Sequence, residues 1–146
     1  MIGDPICILL VEDNNIDIKA VERAFRAKKI SNPIRVAHNG LEALDVLRGT
    51  NGAEKLHQPY VVLLDLNMPR MGGLEFLAEI RDDDVLKRSI VFVLTTSEDD
   101  RDKTAAYDKQ VAGYLSKQDA GGDFLNVIEL LHQFELSVHF PPAAVA

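Results

Sequence analysis

One cysteine, Cys7, is all that the 146 residues contain, so no internal disulfide can form and the chain suits a reducing compartment, the cytoplasm. Positive charge is also scarce. Sixteen Lys and Arg stand against 23 Asp and Glu, the net charge is −7, and no basic block occurs. Phosphate backbones and anionic lipid surfaces repel such a chain, which argues against nucleic-acid or membrane partners. Long apolar runs are missing. The first, Ile6–Val11, is far short of the ~20 residues that span a bilayer. The MIGDP ahead of it lacks the basic start of a secretion signal. There is no internal repeat, low-complexity tract or Pro/Gly/Ser linker, and no Ser/His/Asp or Cys/His arrangement. His38, His57, His132 and His139 have no metal-ligand spacing.

What is present is a rhythm. Five short apolar runs, Ile6–Val11, Ile34–Ala37, Tyr60–Leu64, Ile90–Leu94 and Val111–Leu115, alternate with polar-faced segments. The first, third and fourth are continuous and rich in β-branched residues, the pattern of strands buried on both faces of a parallel sheet. Each gap has room for one helix and two turns, the βαβ spacing. In the first gap Ile16, Ala20, Val21, Ala24 and Phe25 form an apolar stripe. In the second, Asn39 caps a helix carrying Leu41, Leu44 and Leu47, and Gly49 ends it. Leu74, Leu77 and Ile80, beside Phe76, mark the third. The fourth, about 98–109, is nearly all polar, with only Ala105, Ala106 and Tyr107 available to a core. The fifth runs from about 123 to 138 with Phe124, Val127, Ile128, Leu131 and Phe134. The expectation is an α/β protein, a doubly wound (βα)5 sandwich around a parallel five-stranded sheet. Residues 1–138 form one domain and 139–146 a tail that Pro141-Pro142 keep from continuing as helix.

Ligands of doubly wound sheets sit outside the carboxyl ends of the strands. Here strand 1 ends in Glu12-Asp13, strand 3 in Asp65, strand 4 in Thr95-Thr96 and strand 5 in Ser116-Lys117. In a sheet ordered 2-1-3-4-5, strands 1 and 3 are neighbours and three carboxylates converge. Crowded carboxylates either hold a proton or bind a hard divalent cation, and oxygen ligands favour Mg²⁺. Lys117 offers a point charge for a phosphate oxygen, Thr95 a hydroxyl. A carboxylate nucleophile, a metal and two charge stabilisers suit phosphoryl transfer. Taken singly, each of these residues has a plainer reading. Asp13 and Asp65 would cap helices, Thr95 would be a strand residue, Lys117 a solvated charge and Tyr114 core packing.

As a set, ILLVEDN (8–14), LLDLNMPRMGG (63–73), VLTTSED (93–99) and GYLSK (113–117) resemble the receiver domains of two-component response regulators, the CheY-like family. The similarity covers roughly residues 5–138, and the order 2-1-3-4-5 is that family's own. The resemblance implies a phosphorelay protein that accepts a phosphoryl group from a histidine kinase onto Asp65. Mg²⁺ would be bound by Asp13, Asp65 and the backbone carbonyl of Asn67, with Glu12 assisting. Lys117 and Thr95 would contact the phosphoryl group, and Thr95 and Tyr114 would form the switch. Such a protein catalyses only its own phosphorylation and dephosphorylation. Lys117-Gln118 stands where the family has Lys-Pro. The loop therefore keeps either a strained cis bond, at ~3–4 kcal/mol, or a trans one.

The polar loop Thr50–Pro59, the AAYD segment (105–108), the missing proline and HFPP (139–142) are similar to stand-alone regulators of phytochrome-class histidine kinases. No DNA-binding segment follows, so output passes to a downstream protein or phosphotransfer partner. Leu125, Leu130 and Leu136, then Val138 and Phe140, lie beyond the core stripe of the last helix; a homodimer through that helix and the tail is the expectation, and a monomer that covers them with its own tail is the alternative. Two other functions compete: a Mg²⁺-dependent phosphatase or phosphotransferase using Asp65, and an unphosphorylated scaffold. The first wants a second Asp where Asn67 stands, and an amide cannot deliver a proton.

Overall fold

The computed structural model describes residues 6–117 and 125–142. Five strands, β1 (Cys7–Val11), β2 (Ile34–Ala37), β3 (Tyr60–Leu64), β4 (Ile90–Thr95) and β5 (Gly113–Ser116), alternate with α1 (Asn15–Ala27), α2 (Gly40–Arg48), α3 (Gly73–Arg81), α4 (Asp100–Asp108) and α5 (Leu125–Ser137). The strands form one parallel sheet in the order β2-β1-β3-β4-β5. The expected α/β sandwich is the architecture found.

Each strand feeds two cores because successive side chains leave opposite faces. Leu9, Val11, Val62, Leu64, Val91 and Val93 pack under α2, α3 and α4, against Leu44, Leu47, Phe76, Leu77, Ile80 and Ala106. Ile8, Leu10, Val61, Leu63, Phe92 and Leu94 pack under α1 and α5, against Val21, Phe25, Val127, Ile128 and Leu131. The continuous apolar runs thus correspond to strands covered on both sides.

Among the described residues, three helices open on side-chain caps. Asn14 accepts the N–H groups of Ile16 and Asp17, Asn39 that of Glu42, and Asp99 that of Arg101. α2 closes on Gly49 in the left-handed region, φ 70°, a conformation glycine adopts without Cβ strain.

Several expectations shift. Ile16 is 76% exposed, and Ile18 takes its place in the buried stripe of α1. Leu41 and Tyr107 also face outward, so α2 and α4 meet the sheet on narrower faces than their apolar residues suggest. Val111 is buried but precedes β5, which starts at Gly113. The start of the last helix before Leu125, Phe124 included, and the peptide between Lys117 and Gln118 lie outside the described residues.

After α5 the chain turns back on itself. Phe140 meets Phe134 edge to face at 5.7 Å, and Phe134 meets Phe92 of β4 the same way at 5.0 Å. Pro141 and Pro142 then line a small hollow with Lys55, Leu56, Tyr60 and Leu86 at the amino ends of the strands. No helix among the described residues is long and apolar enough to cross a membrane.

Candidate functional site

The parallel ladder runs on past the strand ends and fixes the residues that follow. Asp65 N–H donates to the Val11 carbonyl at 3.0 Å, Glu12 N–H to that of Ala37 at 2.9 Å, and Lys117 N–H to that of Thr95 at 2.8 Å. Residues widely separated in sequence are thereby presented at one rim. Asp65 is held from behind as well. Gly73, the first residue of α3, lies so close that a Cβ there would stand 2.6 Å from the Asp65 carbonyl oxygen and 2.7 Å from Leu66 Cα.

Glu12, Asp13 and Asp65 each present a carboxylate oxygen within 4.8 Å of the others. Glu12 and Asp65 are buried, and Asp13 is exposed. Into this group reaches Lys117, whose Nζ is 2.6 Å from Glu12 Oε1, 2.7 Å from Asp17 Oδ2 and 3.6 Å from Asp65 Oδ2. An open hollow between these side chains is also lined by Asn14, Asn67 and Thr96.

The charges do not balance. Burial above all raises the Glu12 carboxyl to about 7, with the Asp65 charge adding to the rise and Lys117 opposing it. Burial works against the Lys117 ammonium, but its bonds to Asp17 and Glu12 prevail and raise it to about 12. The two shifts pull opposite ways for one ion pair, and the surplus of carboxylates reconciles them. The cation is over-supplied with partners, whereas Glu12 shares that cation with Asp17 and Asp65.

Thr95 is fully buried at the last position of β4, and its Oγ1 lies 3.4 Å from Ser97 N–H. Thr96, not Thr95, borders the hollow. Tyr114 on β5 donates its O–H to the Ser97 carbonyl at 2.9 Å, so Thr95 and Tyr114 meet through one loop residue. Asn67 is exposed at the rim, and its N–H lies 3.4 Å from Asp65 Oδ1. None of the four histidines belongs to the carboxylate group. Cys7 lies within β1, where burial raises its thiol pKa.

Sequence reasoning missed Asp17, the second short partner of Lys117. Its signal was faint. It stands four residues after Asp13 in the first turn of α1, a position where an acid is common for dipole reasons alone.

As an ensemble the site offers a buried carboxylate nucleophile with one oxygen toward a cation, an oxygen-only donor set for a hard divalent ion, and a lysine charge beside both.

Comparison with known proteins finds clear relatives. The profile of the response regulator receiver domain matches residues 8–129. Response regulator Rcp1 of Synechocystis sp. (strain ATCC 27184 / PCC 6803 / Kazusa) is 36% identical over 140 residues, 96% of this chain and 95% of that protein. A crystal structure of response regulator Rcp1 in its Mn(2+)-bound form superposes with a TM-score of 0.80 at 34% identity, covering 94% of this chain and all of that one. The probable methanogenesis regulatory protein FilR2 of Methanothrix harundinacea (strain 6Ac) is 37% identical over 139 residues, 95% of this chain and 89% of that protein. The phosphorylated cyanobacterial phytochrome response regulator RcpA superposes with a TM-score of 0.85 at 33% identity, covering 95% of this chain and 100% of that one.

Proposed function

The chain belongs to the response regulator receiver family, and on that premise we propose that it accepts a phosphoryl group from a histidine kinase onto Asp65, in a Mg²⁺-dependent reaction that alters its partner-binding surface. The observation that carries this reading is the gathering of Glu12, Asp13 and Asp65 within 4.8 Å of one another, with Lys117 Nζ 3.6 Å from Asp65.

The transfer is simple in its balance. An Asp65 carboxylate oxygen attacks phosphorus and a P–O bond forms as the P–N bond to the kinase histidine breaks. The electron pair leaves on the imidazole nitrogen, which takes up a proton. The nucleophile has no proton to lose, so no base is needed, in keeping with a site that has no histidine. Glu12, Asp13, Asp65 and the Asn67 backbone carbonyl would hold Mg²⁺, and their hard oxygen chemistry fits it. When bound, the ion supplies charge neutralisation for the phosphoryl oxygens. Lys117 adds a second positive charge and the Thr95 hydroxyl a hydrogen bond. Moving Thr95 toward the new oxygens pulls on the Ser97 loop that Tyr114 also grips, which links the site to the α4–β5–α5 surface.

The likeness to RcpA supports a phytochrome-class kinase as the donor, which a phosphotransfer panel against candidate kinases would test. Output passes by protein contact or onward phosphotransfer. Leu130 and Leu136 of α5, 42% and 67% exposed, support a homodimer through α5 and the tail after residue 138. The single cysteine is in keeping with a cytoplasmic protein.

Incubation with a small phosphodonor and Mg²⁺, read by intact mass, is expected to add one phosphoryl group to the wild type. Asp65→Asn should add none while keeping its fold, because Asp65 is at a strand end. Turnover of many equivalents would instead indicate an enzyme, and no adduct a scaffold.

A further inference from the structure

Asp17 has no part in the chemistry assigned above, yet it is one of the two groups that grip Lys117. Asn14 accepts the N–H groups of Ile16 at 2.9 Å and Asp17 at 3.2 Å, which fixes the backbone at the start of α1. From there the Asp17 carboxylate reaches Lys117 Nζ at 2.7 Å, tying α1 to the end of β5. Glu12 is as close, at 2.6 Å, while Asp65 is 3.6 Å away. An ammonium has three protons. Two are committed to short charge-assisted bonds, and the distance to Asp65 is too long for a hydrogen bond. The Lys117 side chain is only 9% exposed, so salt screens these contacts weakly.

We infer that Asp17 is a positioning residue: it holds the Lys117 ammonium off Asp65 in the unmodified protein and competes with the phosphoryl group for it. This deepens the function proposed above and rests on it. A phosphoryl group brings roughly −1.5 to −2 of charge. Lys117 reaches it only by lengthening a bond to Glu12 or to Asp17. Glu12 is buried and also accepts the Asn14 N–H at 3.2 Å, so it is anchored. Asp17 is the more exposed of the pair, and water can replace its partner, so Asp17 is the one released. The grip of Asp17 therefore subtracts from the stability of the phosphorylated state.

The test is a titration of the full chain, in Mg²⁺, with beryllium fluoride as phosphoryl mimic, following the amide signals of Asp65 and Tyr114. Asp17→Asn keeps the shape and loses the charge, and is expected to bind on the order of tenfold more tightly than wild type. Asp17→Glu keeps the charge and should stay within about threefold of wild type. A purely structural Asp17 would not separate these two variants. Unchanged or weaker binding by Asp17→Asn, equal tightening in both variants, or loss of fold in Asp17→Asn overturns the inference while leaving the phosphoacceptor reading intact. A wild type that does not bind the mimic removes that reading, and the inference with it.

Discussion

At Glu12 a single carboxyl ties the site to the stability of the fold. Its pKa is raised to about 7, from 4.5, chiefly by burial. A carboxyl whose folded value lies above its unfolded one contributes stability that is complete below about pH 4.5 and lost as pH climbs through about 7. Metal-free protein should therefore lose melting temperature between those limits. Mg²⁺ should restore more of it at pH 8 than at pH 5, and Glu12→Gln should flatten the dependence. Thermal melts across pH, with and without Mg²⁺, check this, and an equal Mg²⁺ increment at both pH values would refute it. At this scale the sequence was legible where a residue's position is set by a strand end, as for Glu12, Asp13, Asp65 and Lys117, which stand together at the rim. It was silent on Asp17, whose role depends on a partner 100 residues away.

At the level of elements, the strands were readable because both faces of the sheet are covered, so each central strand had to be apolar throughout. The helix faces were less so. Periodicity places Ile16 in line with Ala20 and Ala24, but a first-turn residue projects beyond the sheet toward the site, and Ile18 does the packing. Arg81 left no pattern to read. Its guanidinium donates to the carbonyls of Lys109 at 2.6 Å, Lys87 at 2.9 Å, Ser89 at 2.8 Å and Gln110 at 3.0 Å, joining the end of α3 to the segments before β4 and β5. One ammonium cannot span four such acceptors, so Arg81→Lys should destabilise by about 2 kcal/mol in urea unfolding, despite keeping the charge. Gly73→Ala drives a methyl group into the backbone of Asp65 and Leu66. It should lower stability by about 1–3 kcal/mol. It should also slow phosphodonor labelling of Asp65, unlike a surface change of equal stability cost.

For the molecule as a whole, the last helix and the tail carry the surface on which the proposed dimer depends. The rings of Phe92, Phe134 and Phe140 make a continuous edge-to-face path from β4 through α5 to the tail. The tail thus covers part of α5 itself, while Leu130 and Leu136 stay exposed. Sedimentation over a range of concentrations should show a monomer–dimer equilibrium that Leu136→Glu shifts to monomer. A wild-type monomer at every concentration would rule the dimer out. The hollow that receives Pro141 and Pro142 lies at the amino ends of the strands, a full sheet length from the carboxylates. The protein consequently has two separate ends: a dye attached at Lys55 would report on the seat of the tail without touching the carboxylates at the far rim.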